Sequence, residues 1–204
     1  MSALIEKRPQ AAPTNAIGLV PKMLNHAAYV THDAAATAEF YTRILGMELG
    51  NTIIDDRIPS TGDPFPYFHL FFRMADGSTI AFFESPGLPA AAPASHPAYD
   101  IFNHIALEVE SPAEIARWRE WLIQNGIEVI GPTDHEGLIL SIYFRDPSGH
   151  RLELTTPLQP DWNRHDEQAR RNLQLWESWK QEARKLGRPV KEVLLERIGQ
   201  NLSR

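Results

Sequence analysis

Asn25-His26-Ala27-Ala28-Tyr29-Val30 and Asn103-His104-Ile105-Ala106-Leu107-Glu108-Val109 are one phrase written twice. In each, an Asn-His pair opens a short apolar run. A helix-like stretch follows, then a glycine and a β-prone segment: Gly46-Met47-Glu48-Leu49-Gly50 in the first half, Gly126-Ile127-Glu128-Val129-Ile130-Gly131 in the second. Each half closes on an apolar strand that carries a carboxylate, Glu84 or Glu153. The repeat predicts a duplicated module with a histidine at the same point of each copy.

Working outward, residues 22–85 read as the first module. A strand near 23–31 leads to a helix over 34–45, with Thr31 or Asp33 as cap and Ala38, Phe40, Tyr41, Ile44 and Leu45 on one stripe. Gly46 stops it, and strands follow near 47–55, 66–74 and 79–85, the last two joined by an Asp76-Gly77 turn. Residues 86–100, rich in Pro and Ala, form a connector. The second module, 101–157, repeats the plan: a strand over 101–109, a helix opened by Ser111-Pro112-Ala113-Glu114 and stopped by Gly126, and strands near 127–130, 138–144 and 150–156. Asp146-Pro147-Ser148-Gly149 is the turn between the last two. The expected class is therefore α+β: two tandem βαβββ modules whose curved mixed sheets enclose a cavity for a metal site. Residues 1–21, without period, are expected to be a mobile arm, and residues 158–204 a helical extension, with Leu173, Trp176, Trp179 and Ala183 at helical spacing.

Composition removes several classes of function. The net charge of −6 and the lack of a basic stripe argue against nucleic acid and anionic membrane. There is no cysteine, so disulfides, thiolate ligands and Cys nucleophiles are excluded together, and any metal must be held by nitrogen and oxygen. No Gly-rich phosphate loop occurs. Glu6, Lys7, Arg8 and Pro9 stand where a signal peptide needs its apolar core, and no apolar run is long enough to span a bilayer. A cytoplasmic location is expected.

A strand alternates its side chains between faces, so His26 and His104, each flanked by apolar neighbours, can point into the cavity. Glu153, in Arg151-Leu152-Glu153-Leu154-Thr155, and Glu84, after Ile80-Ala81-Phe82-Phe83, are carboxylates in apolar strands. Such placement is costly unless the group is paired or bound to a metal. Singly, each histidine or glutamate has an ordinary structural explanation; their matching places in a repeat favour a shared metal. Two imidazoles and one carboxylate suit non-haem Fe(II) with open positions, whereas Glu84 as a fourth ligand suits Zn, Ni, Mn or Co. His32, His96 and His165 have no partner pattern and read as solvated, and His150 as a surface residue of the turn.

This arrangement resembles the vicinal oxygen chelate superfamily over roughly residues 23–157. A narrower likeness to the type I extradiol ring-cleavage dioxygenases lies in Thr133-Asp134-His135, then Ile142-Tyr143, then Asp146-Pro147-Ser148-Gly149 and Glu153. The resemblance implies that His26, His104 and Glu153 hold Fe(II), or less often Mn(II). It implies that Tyr143 hydrogen-bonds the substrate oxygen at the metal and that His135 lies beside bound substrate. The partners implied are a catechol-like small molecule and O2, in a homodimer. Two features depart from the dioxygenase pattern. Ser78 stands where an acid–base histidine is usual, with His69 nearby on another strand, and Glu84 stands where the dioxygenases are commonly apolar. Three readings follow: an extradiol-type dioxygenase, a glyoxalase I-like metal-dependent lyase or isomerase, and a non-catalytic small-molecule-binding protein of the resistance type.

Overall fold

The computed structural model describes residues 21–89 and 94–202. All but the last residue of the expected N-terminal arm lies outside them. The chain divides into two compact units, one running to Phe102 and including Arg145–His150, the other comprising Asn103–Phe144 and the chain from Arg151 onward.

The first unit holds β1 (His26–Val30), α1 (Ala34–Glu39), a π-helical continuation over Phe40–Ile44, β2 (Glu48–Arg57), β3 (Pro64–Arg73), β4 (Thr79–Glu84) and a short α2 (Pro97–Phe102). Its sheet runs β1-β4-β3-β2, with β1 parallel to β4 and the other pairs antiparallel. Asp33 caps α1 by accepting from the Ala36 N–H at 2.9 Å. The chain turns at Asp76-Gly77, where Gly77 takes a φ of +86°. One face of the sheet is closed by α1 and its continuation. Tyr41 stacks on Phe72 at 5.1 Å and meets Phe82 at 4.9 Å, and all three are fully buried. Burial of each such side chain stabilises by roughly 1.5–3 kcal/mol.

The Asp146–Gly149 turn belongs to this unit. Its Asp146 accepts from the Tyr41 hydroxyl at 3.2 Å and from the backbone N–H of Ser148 and His150. His150 does not stand free on the surface: its Nε2 is 2.8 Å from the Val30 carbonyl.

The second unit contains β5 (Ile105–Glu108), α3 (Pro112–Gln124), β6 (Ile130–Asp134), β7 (Ile139–Arg145), β8 (Arg151–Pro157), α4 (Asp166–Leu186) and α5 (Val190–Leu202). The sheet order is β5-β8-β7-β6, the same plan, with β5 parallel to β8. Ser111 caps α3 by accepting from Glu114 N–H at 3.3 Å, and Glu114 reaches back to the Glu110 N–H at 3.1 Å. Ile115 and Leu122 of α3, with Leu107, Ile142, Phe144, Leu152 and Leu154, supply this unit's core. Helix α4 ends at Gly187, left-handed at φ 63°; α5 packs back on it through the Arg197–Glu182 pair, and Arg188 of the connection pairs with Glu196. The fold is thus two tandem βαβββ modules with C-terminal helices.

Two expectations are corrected. Residues 101–109 are not one strand: Ile101 and Phe102 end α2, and β5 begins at Ile105. His96 caps that helix, its Nδ1 accepting from Ala98 N–H at 3.0 Å, and Pro97 suits a first helical position. The strand expected at 127–130 lies at 130–134 instead. Gly131, at φ +102°, shifts the pairing with β7 between Ile130 and Thr133 and moves the strand toward its C-terminal side.

Candidate metal centre

In the first sheet, register decides which side chains share a face. Ile80, Phe82 and Glu84 of β4 point to the α1 side, Phe82 against Tyr41 and Glu84 with its Oε2 accepting from the Ala34 N–H at 2.7 Å. Thr79, Ala81 and Phe83 point the other way. His26 pairs with Thr79, Ala28 with Ala81, Phe71 with Ala81 and His69 with Phe83, so all of these share that second face. Ring contacts agree: His69 stacks on Phe83 at 3.5 Å, and His26 meets Phe71 at 5.6 Å and His69 at 6.3 Å. A cavity of about 280 Å³ is lined by Asn25, Asn51, Phe71, Arg73 and Thr79 among others. Glu84 is therefore on the opposite face from His26, its carboxylate engaged at a helix N-terminus, where a negative charge is favoured.

His69 is buried at 6 % exposure, and its Nε2 has no hydrogen-bond partner among the described residues. Burial pulls its pKa below the ordinary imidazole value, and the neighbouring His26 adds to the shift. His26 Nδ1 lies 2.7 Å from Asn25 Oδ1, a contact that orients the ring.

In the second sheet, Ala106 pairs with Glu153. His104, two residues before Ala106, lies just ahead of β5 and presents Nε2 at 2.8 Å from Glu153 Oε2. The Glu153 side chain is 4 % exposed, that of His104 32 %. Two donors bound to one ion at about 2.1 Å each, in adjacent octahedral positions, lie about 3 Å apart. The observed separation keeps both atoms within reach of a single cation, so this pair fits a divalent metal.

Tyr143 stands beside them, its ring 6.0 Å from that of His104. Its hydroxyl is 2.8 Å from His135 Nε2. The Tyr143 pKa is raised by burial first, and the charge of Glu153 adds to it. His135 is fixed by a two-residue turn: its N–H donates to Ile139 O and its carbonyl accepts from Leu138 N–H, both at 3.0 Å. Glu136 (φ 56°) and Gly137 (φ 74°) take the left-handed backbone that this turn requires.

Of the sequence-derived candidates, His104, Glu153, Tyr143 and His135 come together in the second unit. His26 belongs to the first unit, and Glu84 points to the helix side of that unit's sheet. Among the described residues, no group of three or more His, Cys, Asp or Glu side chains is arranged to hold a metal ion. A larger depression, about 570 Å³, lies on α3 around Trp118 and Trp121 and touches none of the candidates. One residue that sequence reasoning passed over is Arg151. Two positions before Glu153, it shares that residue's face, and its guanidinium lies 4.4 Å above the Tyr143 ring. Strand alternation alone was the signal that could have found it.

The family model for the Glyoxalase/Bleomycin resistance protein/Dioxygenase superfamily matches residues 23–154, both modules and the whole candidate set. The chain belongs to that superfamily. Within the superfamily it is similar to metapyrocatechase of Pseudomonas sp. (strain CF600), 29% identical over 156 residues, 74% of this chain and 44% of that protein. It is also similar to metallothiol transferase FosB of Staphylococcus epidermidis, 30% identical over 136 residues, 66% of this chain and 84% of that protein. It thus spans less than half the length of the first relative. A glyoxylase/bleomycin resistance protein/dioxygenase domain from Frankia sp. EAN1pec shares the fold, with TM-score 0.55 and 18% identity over 68% of this chain and 99% of that one. The superfamily includes metal-dependent enzymes acting on small molecules.

Proposed function

We propose that this superfamily member is an Fe(II)-dependent extradiol-type dioxygenase that cleaves a catechol-like ring with O2. The observation that carries the reading is the four-residue cluster of the second unit: the His104–Glu153 pair at 2.8 Å with the Tyr143–His135 pair, also at 2.8 Å, against it. The similarity to metapyrocatechase supports it. His104 and Glu153 are the proposed ligands of this cluster, with His26 the third that the resemblance implies and Mn(II) as the alternative ion. Glu84 is left out because of the face it occupies.

A bound Fe(II) would supply a Lewis acid for the diol and a redox centre for O2. The chain's own groups do the rest. The Tyr143 phenol stays protonated at neutral pH and donates a hydrogen bond to the diol oxygen. His135 donates its Nε2–H to the Tyr143 oxygen and so leaves that hydroxyl's one proton directed at the diol.

The test is loading of the purified full chain with Fe(II) without oxygen, then aeration with catechols. Ring-fission absorbance in the visible, with O2 uptake matching substrate loss, is the expected result. A second reading, a metal-dependent thiol transferase, is favoured by the longer share of FosB that is matched. It predicts no O2 uptake and consumption of a low-molecular-weight thiol in the presence of a divalent metal.

A further inference from the structure

Arg151 carries a charge that the proposed chemistry has not used. It lies in β8, half-buried, with its Nε enclosed and without a hydrogen-bond partner, and no acidic side chain among the described residues lies within ion-pair distance. Its guanidinium is held instead over the ring of Tyr143 at 4.4 Å. A half-buried guanidinium with no carboxylate is costly unless a ligand supplies the anion. It is not tied down by the sheet, and its planar fork matches an oxyanion with two acceptor oxygens.

The repeat sharpens the point. Ala81 is the register counterpart of Glu153, so Thr79 is the counterpart of Arg151. The first sheet therefore carries no charge at either position, and the second carries both. With a divalent ion on His104 and Glu153, the local charge is +1; Arg151 brings it to +2. Such a site selects an anion.

We propose that Arg151 makes the site selective for a substrate whose ring bears a carboxylate, read by the guanidinium while Tyr143 holds the diol. This rests on the ring-cleavage reading. The test is anaerobic binding to the Fe(II)-loaded full chain of three probes: catechol, 3,4-dihydroxybenzoate and benzoate. It is run on wild type, Arg151→Met and Arg151→Lys, with the fold of each variant checked by thermal melting. Wild type is expected to prefer dihydroxybenzoate over catechol by about tenfold or more. The preference should collapse toward one in Arg151→Met and survive in part in Arg151→Lys, and in turnover the loss should fall on KM rather than kcat. An undiminished preference in Arg151→Met, or none in wild type, overturns the proposal. Arginine-dependent binding of benzoate without affinity for catechol would keep the anion site and remove the ring-cleavage reading. Catechol turnover indifferent to the carboxylate and to Arg151 would do the reverse.

Discussion

Ala81 and Glu153 occupy the same register point in two copies of one sheet. Ala81 pairs with Ala28, two residues after His26, and Glu153 pairs with Ala106, two residues after His104. The duplication thus preserved both histidines but kept a carboxylate beside only one of them. Glu84, three residues beyond Ala81, falls on the other face.

That relationship separates the two glutamates by experiment. Glu153→Gln should lower metal affinity by at least about a hundredfold, read by metal content after dialysis, because it removes the only anionic ligand proposed. Glu84→Gln should leave metal content at the wild-type level. It should cost about 1 kcal/mol in chemical unfolding, since the amide keeps a bond to the Ala34 N–H but loses its charge at the α1 N-terminus. The opposite pattern would restore Glu84 to the ligand set.

Tyr143→Phe removes the hydroxyl that meets His135 at 2.8 Å. Metal content should hold while kcat falls by about a hundredfold, the usual size of a lost proton-directing group. Because His135 acts through that hydroxyl, adding His135→Ala to Tyr143→Phe should cost little more than Tyr143→Phe alone. A fully multiplicative double variant would mean that the two act separately.

His69 gives the fold a pH dependence of definite sign. Its folded pKa is below the unfolded one, so the native state holds the proton less tightly. Its contribution is intact above about pH 6.5 and is lost as pH falls through the folded value. Urea unfolding at about pH 7.5 and about pH 5.5 should show wild type losing more stability on acidification than His69→Phe. Equal losses would place the imidazole in contact with water.

Gly131→Ala tests the bend in β6. A Cβ there would meet the Ser141 carbonyl at 2.8 Å, and the backbone sits at φ +102°. A loss of about 2 kcal/mol or more is expected. Since β6 leads directly to His135, catalytic efficiency should fall in the folded fraction as well.

Much of this protein was written plainly in its order of residues. The doubled Asn-His phrase, the Ser111-Pro112 cap and the stop at Gly126 announced the two modules, because caps, stops and alternation are local rules acting over a few neighbours. The run from His135 through Tyr143 to Glu153 named three members of one cluster before any coordinates. Local rules failed where a neighbour overrode them. His96 turned Ile101 and Phe102 into a helix end, and Gly131 displaced a strand.

Chain order could not say which way Glu84 points, nor that Arg151 lies over Tyr143. Both depend on register, set by hydrogen bonds between strands far apart in the chain, and a shift of one residue exchanges the faces. The sequence alone determined the modules and the kinds of chemical group they carry. Tertiary structure decided which of those groups share a surface, because only cross-strand pairing brings distant residues onto one face.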